Sequence, residues 1–188
     1  MFDAAIGQLR ADKPQPSSAK DALQKLLAPL DQPGQAATIA PGEAAALELA
    51  RLPIPEIIAV AEKLRIGAKV FDVSFEPKVG YPMYAVRSYA NGKVWNGLVD
   101  GTNGQAIDDA TVTGESAVGV EDKAELMALK IAKVTLREAI ASVERANGGR
   151  ALNAGLEQVH GRAVWEIWIQ DGHRSEQIHI DPITGKTI

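Results

Sequence analysis

Residues 125–188 run ELMALKIAKVTLREAIASVERANGGRALNAGLEQVHGRAVWEIWIQDGHRSEQIHIDPITGKTI. The stretch opens as an apolar-periodic helical run and closes with three short strand-like runs. Set against residues 43–107, it matches at a constant offset of 82, with Glu43/Glu125, Ala46/Ala128, Leu47/Leu129, Ala50/Ala132, Glu56/Glu138, Ile58/Ile140, Ala59/Ala141, Glu62/Glu144 and Gly67/Gly149 identical. The offset becomes 81 at Asp100/Asp181, Gly104/Gly185 and Ile107/Ile188, as a one-residue difference in a strand turn would produce. Self-similarity at a fixed period decides an architecture before any local reading does. The chain reads as an internal duplication.

Working outward, each repeat begins with a short apolar helix, Glu43 to Leu52 or Glu125 to Val134. In the second repeat Thr135 and Glu138 have the spacing of a reciprocal capping box. Leu136, Ala139, Ile140 and Val143 then form one apolar stripe, stopped by Asn147-Gly148-Gly149. Ile54, Ile57, Ile58, Ala61 and Leu64 do the same in the first repeat, with Pro53 and Pro55 where a first turn tolerates them and Gly67 as the stop. Three alternating runs follow in each unit, with turns expected at Val79-Gly80, Asn91-Gly92, His160-Gly161 and Asp171-Gly172. The expected fold class is α+β: two repeats, each a helix packed on a three-stranded antiparallel β-meander, plus an N-terminal helical extension. The expected division is 1–42 for the extension and linker, 43–107 and 125–188 for the repeats, and 108–124 for a polar connector.

In the extension, Lys13-Pro14-Gln15-Pro16 ends any early helix, and Leu23, Leu26, Leu27 and Leu30 recur at helical spacing over Ala19–Leu30. That helix is expected to pack on the first repeat, with a partner-binding or membrane-facing helix as the alternative. Repeats of about 65 residues lie near the lower size limit for an unstapled core. With no cysteine for disulfides, the two cores are expected to support each other. Absence of cysteine suits a reducing cytosol and an envelope compartment alike. A net charge of −4 with interspersed signs gives no basic patch for nucleic acid. No apolar run reaches the roughly 20 residues that span a bilayer, and the N-terminus shows no signal-peptide pattern.

The capped helix VTLREAIASV, the glycine stop, the aromatic-led strand AVWEIWI, the DG turn and the closing IHIDPITGKTI together resemble the PepSY family. Residues 133–188 fit well. Residues 52–107 depart from the pattern, with proline at the helix start and Asn103 in place of the family's threonine. The resemblance implies a small non-catalytic module, exported or membrane-associated, found in propeptides of thermolysin-like metalloproteases and as tandem copies in envelope proteins. Protease inhibition and, for some tandem members, metal binding come with that resemblance. A periplasmic or extracytoplasmic location follows from it, with a cytoplasmic one left open.

Searches for catalytic chemistry fail one by one. Gly114-Glu115-Ser116-Ala117-Val118 approaches a nucleophile elbow but has valine where the last glycine is needed. No phosphate-cradling glycine motif is present, so no cofactor is expected. The carboxylate pairs Asp108/Asp109 and Glu121/Asp122 read as solvated connector charges. Asp100 to Asp108 approaches a calcium loop, but Gln105 stands at the sixth position and Thr111 at the twelfth. His173, His179 and Asp181 share one strand parity and, with Asp100, are the weak metal candidates. A further candidate is a binding face. If Trp165, Ile167 and Ile169 face their own helix, then Val164, Glu166 and Trp168 point the other way, beside His179. A tryptophan there either packs on the first repeat or N-terminal helix, or marks a docking patch.

The leading expectation is a non-catalytic binding module for a protein or peptide partner in the envelope, with protease regulation as one form of it. The alternatives are a metal-binding envelope protein and a structural scaffold or homo-oligomer.

Overall fold

A computed structural model of the chain describes residues 41–78, 81–171 and 174–188. The described helices are α1 (Pro41–Leu49), α2 (Ile54–Leu64), α3 (Val120–Ile131) and α4 (Leu136–Asn147). The strands are β1 (Lys69–Phe75), β2 (Met83–Ala90), β3 (Lys93–Asp100), β4 (Ala106–Gly114), β5 (Arg150–Val159), β6 (Arg162–Asp171) and β7 (Arg174–Ile180). They form one seven-stranded sheet in the order β4-β3-β2-β1-β5-β6-β7, antiparallel at every junction. The fold is α+β. The strands of the two halves meet edge to edge, through Asp72↔Gly155, Val73↔Ala154 and Ser74↔Asn153. The helix expected over Ala19–Leu30 and the turns expected at Val79-Gly80 and at Gly172 lie outside the described residues.

Successive strand residues point to opposite faces, and this sorts the helices. Val86 lies with Ala61 and Leu64 of α2, whereas its neighbour Arg87 contacts Asp122 and Glu125 of α3. Helices α2 and α3 therefore cover opposite faces. Val73 pairs with both Val86 and Ala154, and Ala154 with Ile167. Two residues before Ile167, Trp165 donates its Nε1–H to the Val134 carbonyl at 2.9 Å, just ahead of α4. So α4 shares the face of α2, and the main core lies beneath this pair. Trp165, Tyr84, Ile57, Ile140 and Ile167 are fully buried in it.

Local chemistry sets the helix ends. Thr135 Oγ1 accepts from Glu138 N at 3.2 Å while Glu138 Oε2 accepts from Thr135 N at 2.8 Å, closing the expected capping box. The cap of α2 is Pro53, which offers no side-chain acceptor, though Pro55 pre-sets the first turn. Gly149 has φ 75°, and a Cβ there would stand 2.5 Å from the Gln170 carbonyl oxygen, so both conformation and space demand glycine.

Several contacts recur between the halves. Arg51 N and Leu52 N both donate to the Gly101 carbonyl, as Lys133 N and Val134 N do to that of Pro182. Asp100 accepts Gly104 N, and Asp181 accepts Gly185 N, each through the main chain at 2.8 Å. Strand irregularities fall between Val70 and Asp72 and between Ala151 and Asn153, already 81 apart. The change of offset therefore occurs between Gly67 and Val70, on entry to the first strand, and not in a strand turn as the sequence suggested. Pairing of Asp171 with Arg174 also corrects the expected Asp171-Gly172 turn, because Asp171 still belongs to the ladder.

The stretch 108–124 differs most from expectation. In place of a loop it completes β4, makes one 3-10 turn at Glu115–Ala117 and enters α3. The polar residues that suggested a connector sit on an edge strand, where one side of the ladder faces solvent and polar side chains are tolerated.

Candidate functional site

A recess of about 280 Å³ opens between α3 and the sheet, lined by Asp72, Arg87, Asp122, Glu125, Glu157 and the chain entering α3. Arg87 is its hub. Its Nη2 donates to Asp122 Oδ1 at 2.6 Å, and its Nη1 lies 3.7 Å from Glu125 Oε2 and 3.9 Å from Asp72 Oδ2. The Nε donates to Asn96 Oδ1 at 3.3 Å, and the guanidinium stacks 4.9 Å from the Phe71 ring centroid. These neighbours come from three separate parts of the fold: β1, β3 and the first turns of α3.

One guanidinium faces several largely buried carboxylates, and two of the acids respond. Burial pushes Asp72 up to about 7, against the attraction of Arg87 and with Glu157 adding repulsion. Burial likewise pushes Glu125, only 5% exposed, up to about 7, with Glu157 again repelling. Both carboxyls thus exchange protons near neutrality. This corrects the reading of Glu121/Asp122 as solvated loop charges: Asp122 sits on the first turn of α3 and holds the Arg87 guanidinium. A signal was present in the sequence. Asp72 in VFDVSF and Arg87 in MYAVRSYA are opposite charges in the middle of otherwise apolar strands, where an unpaired charge would be costly.

On the same face of the second half lies the row expected from strand parity. Trp168 donates its Nε1–H to Glu166 Oε1 at 3.0 Å, and Glu166 Oε2 lies 3.3 Å from His179 Nε2. Trp168 is half-buried, and the side chains of Glu166 and His179 retain 16% and 25% of their exposure. Val164 is buried. The structure therefore brings Glu166, Trp168 and His179 into one hydrogen-bonded row, with Val164 two residues along the strand.

The metal candidates are engaged otherwise. Asp181 Oδ1 accepts from Ile183 N and Thr184 N, each at 2.8 Å, and these bonds hold its carboxyl below the usual range. Asp100 Oδ1 accepts from Thr102 N at 2.7 Å in the matching turn. His179 faces Glu166, and His173 lies outside the described residues. Among the described residues no three or more His, Asp or Glu side chains are grouped to hold a metal ion. Ser116 is exposed in the 3-10 turn. Among the described residues no helix is long and apolar enough to cross a membrane.

No family model matches the chain, and no curated protein matches it. One solved structure, a "putative lipoprotein" from Clostridium difficile 630, aligns with it at 17% identity and a TM-score of 0.43, covering 73% of this chain and 91% of that one.

Proposed function

We propose that the chain is a tandem PepSY-like, non-catalytic module of the cell envelope that binds an extended segment of a protein partner. The observation that carries this reading is the Glu166–Trp168–His179 row. It is a pre-oriented aromatic and polar strip on the face away from α2 and α4, half-buried and held by its own hydrogen bonds. Aromatic side chains with one polar tip are favoured anchors in recognition surfaces because they offer area at little entropic cost. Two copies of one helix-and-meander unit account for the recurring main-chain bonds, and the copies have diverged at this face.

Trp168→Ala tests the reading. Capture of an envelope protein from extract should weaken by at least about tenfold, while the melting temperature drops by no more than about 5 °C. Unchanged capture with unchanged melting would remove the binding role of the row.

A further inference from the structure

We propose that the outer edge of β7 accepts an extended segment of a partner polypeptide as an added strand, antiparallel to β7 and in the register that β4 takes on β3. This deepens the reading above and rests on it.

Strands β3 and β7 correspond at an offset of 81, since Ala90 pairs with Lys93 as Asp171 pairs with Arg174. The outer edge of β3 is filled by β4, through Lys93↔Gly114, Val94↔Thr113, Trp95↔Val112 and Asn96↔Thr111. Both edges are approached in the same way. Asp100 N donates to the Gln105 carbonyl and Ala106 pairs with Val99; Asp181 N donates to the Lys186 carbonyl and Thr187 pairs with Ile180. On β3 the added strand runs on to Gly114. On β7, among the described residues, the last bond is from Ile188 N to the His179 carbonyl at 3.0 Å.

That bond also fixes which main-chain groups look outward. If the His179 carbonyl points away from β6, the period of two turns the N–H and C=O of Gln177 and Ser175 outward too. Arg174, Glu176 and Gln177 are exposed. Among the described residues no strand pairs with this edge beyond that bond, so it offers two residues' worth of outward main-chain groups beside exposed side chains, the arrangement that β-strand addition uses.

The charges choose the occupant. A second copy pairing antiparallel about residue 176 would set two Glu176 carboxylates opposite each other, which is unfavourable. A foreign strand in the β4 register places its counterpart of Val112 against Glu176, so a lysine or arginine there is favoured. Its neighbour opposite Gln177 would stand in line with Trp168, with β7 between them, since Trp168 pairs with Gln177. The occupant is thus an extended, β-branched segment with a basic residue at one inner position.

The probe is a synthetic peptide carrying residues 108–114 of β4, with Val112→Lys, added to the intact chain; it stops short of 106 and 107 because the chain's own Thr187 and Ile188 hold those places on β7. At about 1 mM it should slow hydrogen exchange of the Ser175 and Gln177 amides by about tenfold or more. Glu176→Lys should abolish that effect and transfer it to the Val112→Glu peptide. Gln177→Pro, which removes an outward N–H and no bond to β6, should abolish it for both. No slowing, slowing only along β3, or no response to the charge swap would overturn the proposal. Slow exchange at both residues in the chain alone would overturn it as well, with a dimer mass assigning the edge to a second copy and a monomer mass to the chain itself. Loss of partner capture in Trp168→Ala together with an inert β7 edge would leave the binding row standing and remove only the added strand.

Discussion

Arg87 in the first half and Trp168 in the second occupy corresponding strand positions, 81 residues apart, on the same face of one sheet. Their partners correspond as well: Asp72 pairs with Arg87, and Asn153 with Trp168. In the first half the position is charged and is used internally, tying α3 to the sheet through Asp122 and Glu125. In the second half it carries an indole that bonds within its own strand to Glu166. The frame is common, and the face it presents is not. The two halves share main-chain turns and a core stripe, while the outward-facing residues of their strands differ in charge and in partners.

The strongest way to break this comparison is to remove the two side chains in turn. Arg87→Ala leaves Asp72, Asp122 and Glu125 without their shared cation in a desolvated recess, and should cost about 3–5 kcal/mol at pH 8. Trp168→Ala, at a half-buried site, should cost about 1–2 kcal/mol. Denaturant unfolding of both variants checks the order, and equal losses would dissolve the contrast.

Proton linkage sharpens it next. Asp72 and Glu125 have folded-state values raised to about 7 from ordinary carboxylate values near 4. Between those limits the folded chain binds more protons than the unfolded one, so stability falls as pH rises. Their contribution is complete below about pH 4 and is lost as pH passes through about 7. The coupled carboxyls should together cost about 1–3 kcal/mol between pH 5 and pH 8. Glu125→Gln removes one of them and should flatten the profile while raising stability at pH 8. The loss in Arg87→Ala should likewise shrink at pH 5, where the stranded acids take up protons.

Smaller effects separate the halves at their helix starts and turns. Thr135→Ala removes a cap that α2 lacks, and should lower stability by about 1 kcal/mol. His160, at φ 49°, is the first residue of the two-residue turn between β5 and β6, the place that Asn91, at φ 51°, takes in the turn between β2 and β3. Asparagine tolerates this region better, so His160→Asn should gain about 0.3–0.5 kcal/mol. Thermal melts resolve the first, and matched urea titrations the second.

Features set by neighbouring residues were legible in the sequence. Thr135 and Glu138 lie three residues apart, so their capping box could be read directly. The Ile140 and Ile57 stripes, the Gly149 stop and the parity of Trp165 against Trp168 follow from local periodicity in the same way. The single sheet was not legible, because nothing in residues 72–74 or 153–155 announces that they pair. β4 was hidden by its polarity, although Thr111, Val112 and Thr113 favour strands. The Arg87 recess escaped because its members come from distant parts of the chain, and Asp122 looked like a loop charge until α3 was seen to begin at Val120. Asp171-Gly172 misled for a different reason: turn preference is weak beside the register imposed by a seven-residue ladder between β6 and β7.

The most direct test of the division between the halves is site-specific photo-crosslinking with the intact chain. A photoreactive side chain is placed either at Gln177, an exposed position paired with Trp168 on the neighbouring strand, or at Thr111, an exposed position on β4 in the first half, and each is irradiated with envelope extract. A discrete polypeptide adduct is expected from position 177, competed away by excess unlabelled chain but not by its Trp168→Ala variant, and no such adduct from position 111. Equal adducts from both positions, or competition by the variant as effective as by the wild type, would contradict it.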